Sequence, residues 1–227
     1  LEKFIEIAAS MDIYVDLITK DDFSRIAEYD ALFIRETTSV NHHTYRFARR
    51  AKAEGLTVID DPESIMRCTN KVYLAEILQK ARIPIPPTLI IHKQNRDHVL
   101  TELGLPCVLK KPDSAFSQGV VKVNSPDELQ QTLDELLSSS DLVIGQKYLP
   151  TDFDWRIGIL DKQPLYACKY YMAKGHWQIY NWKGEVEDQS GNVETLPIES
   201  VPEKVLSAAI RSANLIGDGL YGVDIKE

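Results

Sequence analysis

CVLKKPDSAFSQGVVKV, residues 107–123, is an apolar strand delivering Lys110, then a turn of small residues, then a second strand entered through Gly119. A lysine at a strand end beside such a turn can meet a phosphate, because its ammonium is a point charge and the turn's N–H groups can donate as well. Taken alone, an ordinary β-hairpin with exposed lysines is the plainer account. Downstream, LVIGQKYLPTDFDWRIGIL, residues 142–160, gives an apolar strand, a polar hinge at Gln146 to Leu149, and a strand bearing Asp154 and Arg156. Backbone groups of such a hinge can read an adenine edge, and Asp154 can accept from ribose hydroxyls. Period-two alternation puts Asp154 and Arg156 on one face of their strand. Bare, they are equally a surface ion pair, which contributes little to stability.

The same alternation extends outward. Apolar residues at helical spacing in residues 1–8, then the runs IYVDLI (13–18), ALFIR (31–35) and LTVID (56–60), with a polar-faced helix over 42–54, read as strands alternating with helices. That pattern implies a parallel sheet covered on both faces, here the end of a Rossmann-like domain. Residues 62–82 read as helical and stop at IPIPPT, which cannot continue a helix. Then come TLIIH, a helix near 95–103, the strands CVLK and VVKV, a helix near 126–138 and LVIGQKY. Ser125, Pro126 and Glu128 make a capping box at that helix start. DWRIGIL and PLYACKYYM, joined at Asp161-Lys162-Gln163, read as a hairpin of a separate sheet, residues 181–197 as a polar mobile stretch, and 202–217 as a helix packed on that sheet.

The chain has 227 residues, 44% hydrophobic and 26% charged, enough for a folded core. A net charge of −8 argues against a broad cationic surface for nucleic acid or anionic lipid, but not against a local phosphate cleft. Cys68, Cys107 and Cys168 lack metal-ligand spacing and read as buried reduced thiols, which suits a cytoplasmic protein. No run approaches the roughly 20 apolar residues of a membrane span. His42 and His43 have no third ligand at useful spacing. Tyr170, Tyr171, Trp177, Tyr180 and Trp182 read as packing of a sheet face. The chain starts at Leu1 and stops on a strand-like run, so both ends read as cut.

In order, NKVYLAEIL, VLKKPDSAFSQGV, GQKYLPTDFDWR, ACKYYM, YNWK and LYGVDIKE resemble successive motifs of the ATP-grasp superfamily, nearest to RimK-like and glutathione synthetase-type carboxylate-amine ligases with an extra N-terminal domain. The resemblance implies an α/β and α+β fold: part of a Rossmann-like pre-ATP-grasp domain (1–62), a helical linker (63–86), ATP-grasp lobe 1 (87–149), and lobe 2 (150–227), truncated at its C-terminus. It assigns Lys71 and Lys110 to ATP phosphates, with the loop from Asp113 to Gly119, Gln118 included, as their cover. It assigns Gln146, Lys147, Tyr148 and Leu149 to adenine, Asp154 to ribose, Arg156 to the transferred phosphoryl group as the catalytic residue, Lys169 and Asn181 to the triphosphate, and Asp224 to magnesium. The loop has one glycine where relatives have more, and Lys147 replaces a common acidic residue. A Glu and an Asn that complete the metal site in relatives fall beyond Glu227, so weak or no ATP binding and no ligase turnover are expected of this chain alone, with both expected of a longer chain.

The implied activity is ATP-dependent amide formation through an acyl phosphate, with ATP and magnesium as cofactors. The substrates are an amino-acid, peptide or protein carboxylate, with glutamate favoured, and an amine. An ATP-grasp kinase and a non-catalytic nucleotide-binding module are the rivals. No nucleic-acid or membrane partner is expected, and a homo-oligomer is left open.

Overall fold

The computed structural model describes residues 1–113, 119–182 and 189–227. Contacts divide the chain into two units, Leu1–Ile59 and Asp60–Glu227.

In the first unit, helix α1 (Glu2–Ser10) is followed by a 3₁₀ stretch over Lys20–Glu28, strand β1 (Ala31–Phe33), helix α2 (His43–Ala53) and strand β2 (Thr57–Ile59). β1 and β2 pair in parallel, as the alternation of strand and helix requires. Their core is Ile26, Phe47 and Ala51, flanked by Ile18, Phe23, Leu32, Leu56 and Val58. The strand expected over 13–18 does not form: Ile13, Tyr14 and Leu17 stay exposed and only Ile18 reaches the core. Asp16 is instead engaged by Arg25 at 2.9 Å and Tyr29 at 2.7 Å. Without a partner strand, an apolar run has no ladder to join.

The second unit opens with helices α3 (Pro62–Thr69) and α4 (Lys71–Lys80). Asn70 caps α4, its Oδ1 accepting from the N–H groups of Val72 and Tyr73 at 3.0 and 3.1 Å. An antiparallel sheet of order β3-β6-β4-β5 follows, built from β3 (Thr88–Ile91), β4 (Cys107–Lys110), β5 (Val120–Val123) and β6 (Val143–Lys147). Between the first two lies the short helix α5 (Val99–Glu102). Helix α6 (Pro126–Ser139) covers one face with Leu129, Leu133, Leu136 and Leu137, which meet Ile91, Cys107, Leu109, Val123 and Val143. Each fully buried leucine there contributes about 1.5–3 kcal/mol. Ser125 caps α6, and Glu128 reaches back one residue further than expected, to the Asn124 N–H at 2.7 Å.

The other sheet has the order β10-β7-β8-β9, with β7 (Phe153–Leu160), β8 (Gln163–Tyr171), β9 (Val193–Leu196) and β10 (Leu220–Ile225), all antiparallel. β9 lies inside the stretch expected to be irregular. Asp161 and Lys162, at φ 46° and 66°, make the two-residue turn between β7 and β8. Helix α7 (Glu203–Asn214) packs Val205, Ala209 and Ala213 on Trp155, Ile157, Ile159 and Ala167. Both sheets therefore have one helix-covered face and one face free for chemistry.

The helices α3 and α4 are fastened to this sheet and its helix. Arg67 donates to the Ile216 carbonyl at 2.5 Å, Arg211 to the Ala81 carbonyl at 3.0 Å, and the Ser64 and Tyr221 hydroxyls meet at 2.7 Å. The Lys71 N–H bonds the Pro112 carbonyl at 3.0 Å, tying the start of α4 to the end of β4's extension.

Candidate active site

Lys110 ends β4 on the face opposite α6. Its ammonium donates to Gln146 Oε1 at 2.6 Å, Gln146 Nε2 donates to Thr88 Oγ1 at 3.0 Å, and Thr88 donates to the Pro86 carbonyl at 2.6 Å. The relay fixes the Gln146 amide and holds Lys110 with a neutral partner. Burial pushes the Lys110 ammonium down to about 8, helped by the charges of Lys71 and Lys226 and opposed by Asp154. Lys71, at the first turn of α4, is also lowered, by burial, against the charge of Asp113. Lys110 thus lies within electrostatic reach of groups from the other sheet and from α4.

On the second sheet, register decides which side chains face this cluster. Arg156 pairs with Asp224 on one side and Cys168 on the other, and Asp154 pairs with Tyr170, so these share the face opposite α7. Arg156 grips Asp224 two-pronged, Nε to Oδ1 and Nη2 to Oδ2, the latter at 2.8 Å, and its guanidinium lies 5.2 Å from the Tyr170 ring centroid. Burial lowers the Arg156 guanidinium, but the Asp224 bonds and charge outweigh it and the net shift is upward. The Asp224 side chain is 49% exposed, and desolvation by surrounding atoms raises its carboxyl, against the lowering effect of Arg156. Gly222 permits this pairing, since a Cβ there would sit 3.0 Å from Arg156 Cδ.

Asp154 is 14% exposed and accepts Lys226 Nζ at 2.6 Å and Thr151 Oγ1 at 3.1 Å, both on Oδ1. Sequence reasoning missed Lys226. The signal was present: two residues beyond Asp224, it falls on the same face of the extended chain.

Lys169 does not join the cluster. It pairs with Trp155, on the α7 side, with its ammonium 4.6 Å from the Phe153 ring and 5.1 Å from the Trp155 ring. A register shift between Gly158 and Ile159 accounts for this: Leu160 opposes Gln163, but Gly158 opposes Tyr166, leaving Leu165 over. One extra residue exchanges the faces beyond it, and without it Lys169 would oppose Asp154. Asn181 sits in the loop after β8, its N–H bonded to the Gln189 carbonyl at 2.9 Å. Gln118 and most of the expected cover loop lie outside the described residues, while Gly119 is held at φ 66°.

In the hinge, the N–H groups of Lys147 and Tyr148 already donate to the Pro87 and Pro106 carbonyls at 2.9 and 3.3 Å. The Leu149 N–H has no partner among the described residues. Beside the hinge lies a cleft of about 840 Å³ lined in part by Lys122, Tyr148, Thr151, Phe153 and Trp177.

The aromatic residues do not form one packed face. Tyr170 lies under Arg156, Tyr171 bonds Glu194 at 2.9 Å, Trp177 meets Tyr148, and Tyr180 stacks on Trp182. Cys107 and Cys168 are buried but Cys68 is exposed, and all three are free thiols. In the first unit, Glu36 supplies the neighbour that His42 and His43 lacked in sequence, the three offering ligand atoms within 4.8 Å of one another. A 3.0 Å contact joins Glu36 to His43, and His42 Nδ1 meets Thr44 Oγ1 at 3.0 Å and accepts from the Thr44 N–H at the start of α2.

A family model described as the D-ala D-ala ligase C-terminus matches residues 77–225. The chain belongs to this family. Among curated relatives, it is 26% identical over 180 residues to the alpha-aminoadipate–LysW ligase LysX of Saccharolobus solfataricus, an alignment that covers 76% of this chain and 62% of the relative. Its fold is that of ATP-grasp ligases. The D-alanine–D-alanine ligase of Bacillus anthracis superposes with a TM-score of 0.71 at 19% identity, covering 95% of this chain and 71% of that one. A RimK domain ATP-grasp protein of Sphaerobacter thermophilus superposes with a TM-score of 0.63 at 16% identity, covering 88% and 69%. The chain spans less than two thirds of the LysX relative's length. Among the described residues, no helix is long and apolar enough to cross a membrane.

Proposed function

We propose that this chain supplies the nucleotide-handling site of an ATP-dependent carboxylate-amine ligase, with an amino-acid, peptide or protein carboxylate as acceptor. The observation that supports it most is Lys110: a half-buried ammonium bonded only to a neutral amide among the described residues, with Lys71 near it. A buried cation without a carboxylate partner is costly unless an anion completes the site. A triphosphate meets that need, and Leu149 N–H and Asp154 would take the base and sugar.

The donor set also fits magnesium. Asp224 is a carboxylate on the same face as Asp154, and magnesium bound with a nucleotide needs only one or two carboxylates besides phosphate oxygens. The ion would neutralise phosphate charge there. Asp224 would hold it after turning from Arg156, freeing the planar guanidinium for the reacting phosphoryl group.

In the proposed reaction, an oxygen of the substrate carboxylate bonds to the γ-phosphorus as the bond to the ADP oxygen breaks. The amine nitrogen then bonds to the acyl carbon, phosphate leaves with the C–O electron pair, and the nitrogen loses a proton. Lys71 and Lys110 hold the phosphates, and Arg156 stabilises the oxyanion of the addition step. No protein nucleophile takes part.

Hydroxylamine trapping by the full-length protein with Mg-ATP and a panel of amino acids and peptides, glutamate among them, tests the reading. Only an acyl phosphate yields a hydroxamate. A phosphorylated alcohol without hydroxamate would replace the ligase with a kinase, and absence of Mg-ATP binding in calorimetry would remove the nucleotide site altogether.

A further inference from the structure

Lys226 makes contacts that the proposed reaction does not use. Its ammonium touches Asp154 Oδ1 at 2.6 Å and Thr151 Oγ1 at 3.0 Å, while the Thr151 hydroxyl donates to the same Oδ1 at 3.1 Å. A carboxylate with two donors on one oxygen has its rotation about Cβ–Cγ fixed. Asp154 Oδ2 has no hydrogen bond among the described residues, so the pinned group keeps one free acceptor. Lys226 also lies near enough to Lys110 for their charges to interact. The Lys226–Asp154 pair therefore stands where the sugar and phosphate parts of a nucleotide would meet.

We infer that Lys226 is a positioning residue for the nucleotide sugar: by holding Asp154 through Oδ1 it presents Oδ2 to the ribose hydroxyls. This rests on the assignment of Asp154 to ribose proposed above. The mechanism needs no new bond chemistry, only a carboxylate kept from turning. A carboxylate left free to rotate pays an ordering cost each time it meets a ribose, and the preference for ribose shrinks accordingly.

The measurement is calorimetric titration of the full-length protein with Mg-ATP and with Mg-2′,3′-dideoxy-ATP, for the wild type, K226M, K226R and D154A, each checked for an unchanged thermal transition. The wild type is expected to prefer ATP by roughly tenfold, the scale of hydrogen bonds to a charged group. K226M should bring the ratio toward one, K226R should restore most of it, and D154A should abolish it. A preference retained in D154A would remove Asp154 from the ribose site and overturn both readings. A ratio lost in D154A but kept in K226M would overturn the role of Lys226 alone. If K226M weakens both nucleotides equally, Lys226 acts on phosphate and the inference is wrong. A wild type that binds neither nucleotide overturns it together with the proposed function.

Discussion

In the β3-β6-β4-β5 sheet, the lysine that ends β4 bonds a neutral amide. In the β10-β7-β8-β9 sheet, Arg156 and Lys226 each hold a carboxylate. Among the described residues, Lys110 of the first sheet therefore has no carboxylate bonded to it, whereas the second sheet presents charge already paired. An anion entering the first gains without displacing anything charged. A metal or sugar entering the second competes with, or builds on, an existing pair. Under the proposed function, affinity would lie chiefly on the Lys110 side and reactivity chiefly on the Arg156 side, and each sheet can be tested separately.

The largest expected effect is on the paired side. Arg156→Lys replaces a two-pronged planar donor with a point charge that cannot reproduce the Nε and Nη2 bonds to Asp224. In the full-length protein hydroxamate formation should fall about 10²-fold or more, the scale of losing one preorganised donor, while Mg-ATP affinity changes by less than about tenfold. Equal losses in rate and affinity would erase the division between the sheets.

On the other side, Lys110→Met removes the half-buried ammonium. Mg-ATP affinity should drop roughly 10- to 100-fold, the range for a hydrogen bond to a charged group. The thermal transition should hold or rise, because methionine fills the space without a charge to desolvate. A marked fall in melting temperature with affinity intact would make Lys110 a structural residue.

How much of this was legible depended on whether local spacing or long-range register set the outcome. That Asp154 and Arg156 share a face was legible from strand alternation, and Lys110 from its place at a strand end, whereas Asp224 came only from the family resemblance. Lys226 was missed although that same alternation pointed to it. Lys169 was misplaced for a different reason: its face is set by the register shift beside Gly158, and no turn residue near Leu165 announces it. In the first unit, ALFIR and LTVID became paired strands while IYVDLI did not, although all three are apolar runs. Strand formation needs a partner, and a partner is not a property of the run itself.

The smallest effect, and the one that tests the first sheet most directly, is the pH dependence carried by Lys110. Its ammonium is lowered from an ordinary value of 10.5 to about 8, first by burial. Below pH 8 the folded and unfolded chains both hold the proton, so the cost of burying the charge is fully present. Between pH 8 and 10.5 the unfolded chain still holds it and the folded chain has given it up, so stability contributed by this residue rises with pH across that window. Nucleotide affinity must run the other way, because a triphosphate needs the ammonium. If binding requires the protonated form, Mg-ATP affinity should fall about tenfold between pH 7 and pH 9. ATP's own ionisation is complete through most of that range and adds little. Opposite slopes for stability and affinity are hard to produce by general charge effects, and both should flatten in Lys110→Met. Lys71 is lowered too, so Lys71→Met serves as the control: it should weaken binding yet keep a slope, moved to higher pH because the charge of Lys71 helps lower Lys110. An affinity that stays level from pH 7 to 9, or a slope that survives in Lys110→Met, would show that Lys110 does not carry the phosphate charge, and the contrast between the two sheets would fail at its stronger end.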